Sequence, residues 1–236
     1  MNQHGSSERV RGIEDLVTME NIETVAIREL GTEDDKYITS LSKLHMIAFP
    51  EFFLTQLGLP FLKSLYRGYM EDENSGIIVA EISGCPVGFI AYSNDYSKFY
   101  KGLVKKHLIR FAFCSLLAVI RHPSFYKRLL KAFKKSDDVK KEEAYVELAS
   151  ICVNPKEGSK GIGSMLIEKL KEITDFSNYE YINLETDACG NDAVNKFYMK
   201  NGFQLVRSYV TAEGRKMNEY RYYGEKNETA VFGCLF

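Results

Sequence analysis

Between a β-type run (Tyr145 to Val153) and a helix-type run (Ser164 to Ile173) the chain reads Gly158-Ser159-Lys160-Gly161-Ile162-Gly163. Glycines at such a turn permit positive φ and let a ligand approach the main chain closely. The first turn of the following helix leaves backbone N–H groups without an intrahelical acceptor. With the positive end of the helix dipole behind them, those donors suit a phosphate or pyrophosphate. The loop is not a P-loop, which ends in Gly-Lys-Ser/Thr, because Gly163 is followed by Ser164 and Met165. Nor is it a dinucleotide fingerprint: Gly-x-x-Gly-x-Gly runs in the reverse order, although Glu185 lies at about the right distance to hold a ribose. On the strand before the loop, alternation predicts that Glu147, Ala149, Ile151 and Val153 share one face. A carboxylate in such a cleft is a candidate general base, its pKa raised by partial drying.

These residues need a scaffold, and the apolar periodicity supplies one. Thr24 to Leu30 reads as a first strand. Thr32 is placed to cap the next helix with Asp35 as partner, and Ile38, Leu41, Leu44 and Ala48 follow at helical spacing. Pro50 closes that helix and Pro60 opens another through about Met70. Gly76 to Ile82 and Pro86 to Ser93 form a hairpin about Ser83-Gly84. After the central strand and loop come a strand from Tyr181 to Thr186 and a short helix from Asp192 to Lys200, stopped by Asn201-Gly202. Two closing strands flank Glu213-Gly214. Hairpins and crossovers together predict a mixed α/β chain.

Composition bounds the rest. A chain of 236 residues, 45% hydrophobic, can bury a full core as one domain. Residues 1–22 read as a flexible tail and 23–236 as a single domain. The five cysteines are odd in number and scattered, without Cys-x-x-Cys spacing, so neither a disulfide framework nor a metal site is expected. The polar start lacks the apolar core of a leader, and no run is long enough to span a bilayer. The expected setting is cytoplasmic. Ser97 to Ser136 carries eight Lys and three Arg and no acidic residue, within a chain of net charge −1. Phe125, Tyr126, Leu129, Leu130 and Phe133 fall on one helical face there, with Lys127, Lys131, Lys134 and Lys135 on the other. Such a segment can simply pack on the body, or meet an anionic partner: a nucleotide sugar, a lipid head group at a membrane surface, or an acidic protein. Nucleic acid ranks last, because the remainder of the surface is acidic.

The stretch VELASICVNPKEGSKGIGSMLIEKL, followed by INLETDACGNDAVNKFYMKNGF, resembles the two central motifs of the GNAT superfamily of acetyl-CoA-dependent N-acetyltransferases. That family's first motif is Arg/Gln-x-x-Gly-x-Gly/Ala; Gly161 and Gly163 fill its last two fixed places, while Gly158 stands where Arg or Gln is usual and Ser159 where a further Gly is common. The second motif is matched by Asn191, Phe197, Tyr198, Gly202 and Phe203. The resemblance runs from about 145 to 203 and is absent from about 95 to 144, which reads as a basic helical insertion between the third and fourth strands.

The resemblance implies acetyl-CoA as cosubstrate, no metal, and transfer of its acetyl group to an amine. An alkylammonium, pKa about 10.4, must lose a proton before it can attack, and the departing thiolate, pKa about 8.5, benefits from gaining one. Glu147 matches the position of a catalytic glutamate in the histone-acetyltransferase branch, with a water chain as the alternative base. Tyr198 matches the tyrosine near the CoA sulfur and is the candidate acid. Backbone amides around Cys152 and Val153 are the expected oxyanion donors, freed by Asn154-Pro155, and Ile151 is counted with them among the cofactor-binding residues. Gly158, Ser159, Lys160, Gly161, Ile162, Gly163 and Ser164 are expected to hold the diphosphate, and Asn191 the pantetheine arm, besides serving as a helix cap. Cys152 lacks a His partner and reads as core. His45, Phe49 and Phe52 lie where the family builds its acceptor pocket, in a run, HMIAFPEFFLTQLG, similar to family members of surface-polysaccharide synthesis. The implied acceptor is a small amine, with an amino sugar nucleotide foremost. A peptide acceptor, or a silent acyl-CoA sensor or membrane-surface adaptor, are the alternatives, and a homodimer is left open.

Overall fold

The computed structural model describes residues 24–103, 143–211 and 214–224. The tail at 1–22 and most of the basic insertion lie outside them. Seven strands form one sheet in the order β1-β2-β3-β4-β5-β7-β6. They are β1 (Val25–Glu29), β2 (Ser75–Ile82), β3 (Cys85–Ser93), β4 (Tyr145–Val153), β5 (Tyr181–Asp187), β6 (Gln204–Val210) and β7 (Lys216–Tyr223). Only β4 and β5 pair in parallel; the other neighbours are antiparallel. This is the mixed α/β architecture that the alternation of hairpins and crossovers predicts.

Helices cover both faces of the sheet, which explains why β2 is apolar along nearly its whole length instead of alternating. On one face lie α1 (Tyr37–Ala48), a short α2 (Phe53–Gln56), α3 (Leu59–Glu71) and α4 (96–103). Their buried residues Leu41, Leu62, Tyr66, Tyr69 and Phe99 pack with Ile77, Phe89 and Cys152. On the other face α5 (Ile162–Ile173) and α6 (Asp192–Lys200) place Ile162, Leu166, Leu170 and Tyr198 against Ile78, Ile90, Leu148 and Ile182. The spacing of Ile162, Leu166, Ile167 and Leu170 is that of one helical stripe, which is why α5 docks as it does. Among the described residues no helix is long and apolar enough to cross a membrane.

Two local expectations are corrected. Thr32 does not cap α1: Thr32–Asp34 is a separate 3-10 turn, and α1 begins at Tyr37. Arg28 holds the Asp34 carboxylate at 2.8 and 3.0 Å, and the Gly31 N–H donates to it at 3.1 Å, so the chain is pinned to β1 before the helix can start. The second correction concerns β4. Ala91 pairs with Ser150 but Tyr92 pairs with Leu148, so Ala149 is an extra residue, a β-bulge. The bulge flips the parity of the strand. Ala149 and Cys152 pack with α1 and α3, whereas Ile151 and Val153 pack with α5. Glu147 therefore shares its face with Ala149 and Cys152, not with Ile151 and Val153.

Candidate active site

Past β4 the chain makes a 3-10 turn at Pro155–Glu157, in which the Asn154 side chain accepts the Lys156 N–H at 3.1 Å. Gly161 then takes φ +75°, the left-handed conformation that turns the chain into α5, two residues earlier than periodicity indicates. The first helical bond runs from Met165 N–H to Gly161 C=O at 3.0 Å. The amides of Ile162, Gly163 and Ser164 precede it, and no side chain caps them. A side chain at Gly163 would bring its Cβ within 3.0 Å of the Phe197 ring, so glycine is what lets α5 and α6 meet here.

The site exists because two parallel strands part. β4 and β5 pair through Tyr145–Tyr181, Val146–Ile182 and Glu147–Asn183, then stop, although both continue. Between their free ends opens a cavity of about 740 Å³, lined by residues 147–153 of β4 and 184–187 of β5. It is the parting of β5, and not the Asn154-Pro155 break, that frees the β4 main chain. Asn154 N–H donates to Val87 C=O at 2.7 Å, so alternation turns the Cys152 amide toward β3 as well. The amides of Ile151 and Val153 are the ones aimed at the gap. Of the two amides expected at the oxyanion, that of Val153 faces the gap and that of Cys152 faces β3.

Side chains of different character line the two ends of the cavity. The Glu147 carboxylate accepts a hydrogen bond from the Asn183 amide at 2.7 Å. Around it the phenols of Tyr69, Tyr96 and Tyr100 are pushed up, chiefly by burial, with the Glu147 charge adding to the effect. His45, Phe49, Phe52 and Tyr96 wall this end. His45 is buried, and desolvation lowers its pKa to about 4, so the ring is neutral. Toward the other end stands Tyr198 on α6, 6% exposed, packed on Phe197, Phe203 and Tyr220. Burial raises its pKa and keeps the hydroxyl protonated. Burial likewise pushes the Cys152 thiol up, which leaves no thiolate for nucleophilic attack.

Most residues singled out from the sequence reach this one cavity: Glu147, Tyr198, His45, Phe49, Phe52, the β4 end and the loop glycines with Ser159, Ile162 and Ser164. Two do not line it. Lys160 pairs with Glu157 at 2.7 Å. Asn191 donates to Thr186 Oγ1 at 2.8 Å and to Asp187 C=O at 3.3 Å, tying α6 to β5, and its side chain does not cap the helix. Sequence reasoning missed Tyr96, Ser150, Thr186, Lys200 and Arg215, which also line the cavity. Tyr96 stands at the start of the insertion, for which no motif exists, and Ser150 faces the site only because of the bulge. Among the described residues no cluster of His, Cys, Asp or Glu is placed to hold a metal.

A model of the acetyltransferase (GNAT) family matches residues 38–203. No curated protein is similar enough in sequence to be matched. Among solved structures, the Drosophila melanogaster polyamine N-acetyltransferase aligns with a TM-score of 0.52 at 11% identity, over 85% of this chain and 100% of that one. The Escherichia coli ribosomal-protein-S18-alanine N-acetyltransferase aligns with 0.50 at 14% identity, over 85% and 94%. A Bacillus anthracis protein described as a streptothricin acetyltransferase, solved in complex with acetyl coenzyme A, aligns with 0.51 at 16% identity, over 86% and 99%. Motifs, fold, parted strands and family match agree, and the chain belongs to the GNAT acetyltransferase family, as an acetyl-CoA-dependent acyltransferase.

Proposed function

We propose that this enzyme acetylates the primary amine of a small molecule, with an amino sugar nucleotide as the foremost class. The observation that carries the reading is the continuity of one cavity from the uncapped start of α5 to Glu147 and the aromatic wall. Acetyl-CoA fits the first end. The amides of Ile162, Gly163 and Ser164 would hold its diphosphate, and the thioester it brings supplies an activated acetyl group. The Val153 amide then serves as oxyanion donor. Glu147, oriented by Asn183, takes the proton of the acceptor ammonium, a service worth roughly 10²- to 10⁴-fold. Tyr198 donates a hydrogen bond at the leaving sulfur. Because burial raises its pKa above that of a thiol, transfer of the phenolic proton to the thiolate is uphill, and Tyr198 acts by hydrogen-bonding the departing sulfur, which leaves as the thiolate.

A small acceptor is favoured by the wall that Phe49, Phe52 and Tyr96 build around Glu147. Tyr96 belongs to the beginning of the insertion, which supports a closing role for that segment. Its basic residues, Lys98 and Lys101 among them, suit the phosphates of a nucleotide. The polyamine and ribosomal-protein enzymes share the fold to a similar degree, so the fold does not choose between small and protein acceptors. The free thiols of Cys85, Cys152 and Cys189 suit a reducing, cytoplasmic setting. The test is calorimetry with acetyl-CoA, followed by release of free CoA thiol with UDP-linked amino sugars, free amino sugars, polyamines and an alanine-initial peptide. Absence of acetyl-CoA binding would end this reading, and turnover with the peptide alone would move the acceptor to protein.

A further inference from the structure

The buried face of α6 carries two polar residues a turn apart, Asn195 and Tyr198. Tyr198 lines the cavity and Asn195 does not. A buried amide is tolerated only where its hydrogen bonds are made, a demand that an apolar side chain would not impose. Asn195 meets it at every donor and acceptor position. Its Nδ2 donates to Asp187 C=O at 3.0 Å and to Asn191 C=O at 2.8 Å. Its Oδ1 accepts from Asn218 Nδ2 at 2.9 Å and from the Tyr220 hydroxyl at 2.8 Å. Main-chain carbonyls can only accept, so they settle which end of the Asn195 amide is which. Tyr220 and Asn218 must then donate to Oδ1, and the Asn218 carbonyl is left to take the Ser208 hydroxyl at 2.6 Å.

The Asp187 carbonyl owes its availability to the cavity. Ala188 N–H donates to Lys216 C=O at 2.9 Å, so alternation turns Asp187 C=O away from β7, to the side that β4 has left. The parting of the strands thus strips this carbonyl of a ladder partner. Asn195 and Asn191, at 3.0 and 3.3 Å, take that place from α6. Residues 184–187 of β5 and Val194, Phe197 and Tyr198 of α6 line the cavity together, so the bonds join two of its walls. The Tyr198 ring packs on that of Tyr220, centroids 6.0 Å apart, and the same Tyr220 holds Asn195.

We propose that Asn195 is a positioning residue for the acyl transfer: by holding α6 to the free end of β5 and to β7, it sets the Tyr198 hydroxyl at the sulfur of the bound cosubstrate. The inference rests on the role given to Tyr198 above. Apolar packing would keep this short helix on the sheet, yet it is non-directional and would let the helix slide or roll. Hydrogen bonds to β5, to β7 and to the first turn of α6 fix direction as well as depth. A displacement of about 1 Å is enough to spoil a catalytic contact.

The test compares CoA with desulfo-CoA, which lacks only the sulfur, by calorimetry at about pH 9. Much of the CoA thiol is then ionised, while burial keeps the Tyr198 phenol protonated. Wild type should bind CoA roughly 10-fold more tightly than desulfo-CoA, and Tyr198→Phe should abolish that preference. Asn195→Leu, similar in size and without the hydrogen bonds, should abolish most of it too. Combined with Tyr198→Phe, it should change the ratio less than about twofold further. Asn195→Asp keeps an oxygen for Asn218 and Tyr220 but loses both donors; it should act likewise, and it carries the test if the leucine variant fails to fold. Desulfo-CoA affinity within about threefold of wild type shows that a variant is folded. A folded Asn195 variant with the full preference overturns the proposal, as does one that lowers the ratio further when the phenol is absent. A wild type without the preference would strike the role of Tyr198, and the inference with it. Failure of wild type to bind either compound would instead strike the proposed function.

Discussion

Asn183 and Glu147 face each other across the last paired rung of β4 and β5, and the Asn183 amide donates to the Glu147 carboxylate at 2.7 Å. One residue further, the strands have parted and the cavity has begun. The bond thus fixes a carboxylate at the apex of the opening, with the free end of the strand pair ahead of it. Glu147→Gln keeps the size of the side chain and removes its basicity. Turnover should fall roughly 10²-fold or more, the acidic limb of the pH–rate profile should vanish, and acetyl-CoA affinity should stay within about twofold. Asn183→Asp sets a second carboxylate against the first, which raises the pair's apparent pKa and shifts the acidic limb to higher pH. Free-CoA release measured from about pH 5.5 to 9 reads both effects.

Tyr198→Phe should lower kcat about 10- to 100-fold with little change in the acetyl-CoA dissociation constant. The wild-type phenol is held protonated by burial, so Tyr198 should contribute no falling limb to the profile below about pH 10. A limb near pH 8 that disappears in the phenylalanine variant would remove this assignment.

Main-chain binding separates two neighbours in the loop. Gly163→Ala drives a methyl into the Phe197 ring and should cost about 1–3 kcal/mol of stability, with weaker acetyl-CoA binding. Lys160→Ala removes a charge already paired with Glu157 and should change acetyl-CoA affinity less than about twofold. Isothermal calorimetry on both variants distinguishes amide from side-chain recognition.

His45 links stability to pH. Its folded-state pKa, about 4, lies below the ordinary value of 6.5 because burial disfavours the charged ring. The unfolded chain therefore takes up a proton as pH falls through 6.5, and the folded chain resists until about 4. Stability from this group is complete above 6.5 and drains away between 6.5 and 4, by about 2 kcal/mol at pH 5. Urea unfolding at pH 7.5 and pH 5 measures the loss, and His45→Gln should abolish this component of it.

The loop at Gly158–Gly163 and the motif around Tyr198 were legible because they depend on local rules. Gly161 needs a left-handed φ, and the amides of Ile162 and Gly163 are orphaned by helix geometry alone. The ends of β4, β7 and α6 were likewise marked by apolar runs and breakers. Ser150 and Tyr96 had no such mark. Ser150 sits beside the bulge at Ala149, where β4 is fitted to β3. Tyr96 reaches Glu147 only because α4 folds back over α3, with Leu103 against Gly68.

By itself, then, the order of residues determined the class of fold and marked a candidate anion-binding turn, since both rest on periodicity or on neighbours within a few positions, while the candidate acid and base were named from the resemblance of the motifs. The tertiary structure decided which β4 amides face the cavity, that Lys160 pairs with Glu157, and that His45 and Tyr66 meet. The first of those outcomes depends on a single inserted residue in β4 and on where β5 leaves it. Strand register and the divergence of neighbours arise from packing between segments far apart in the chain, and no local pattern encodes them.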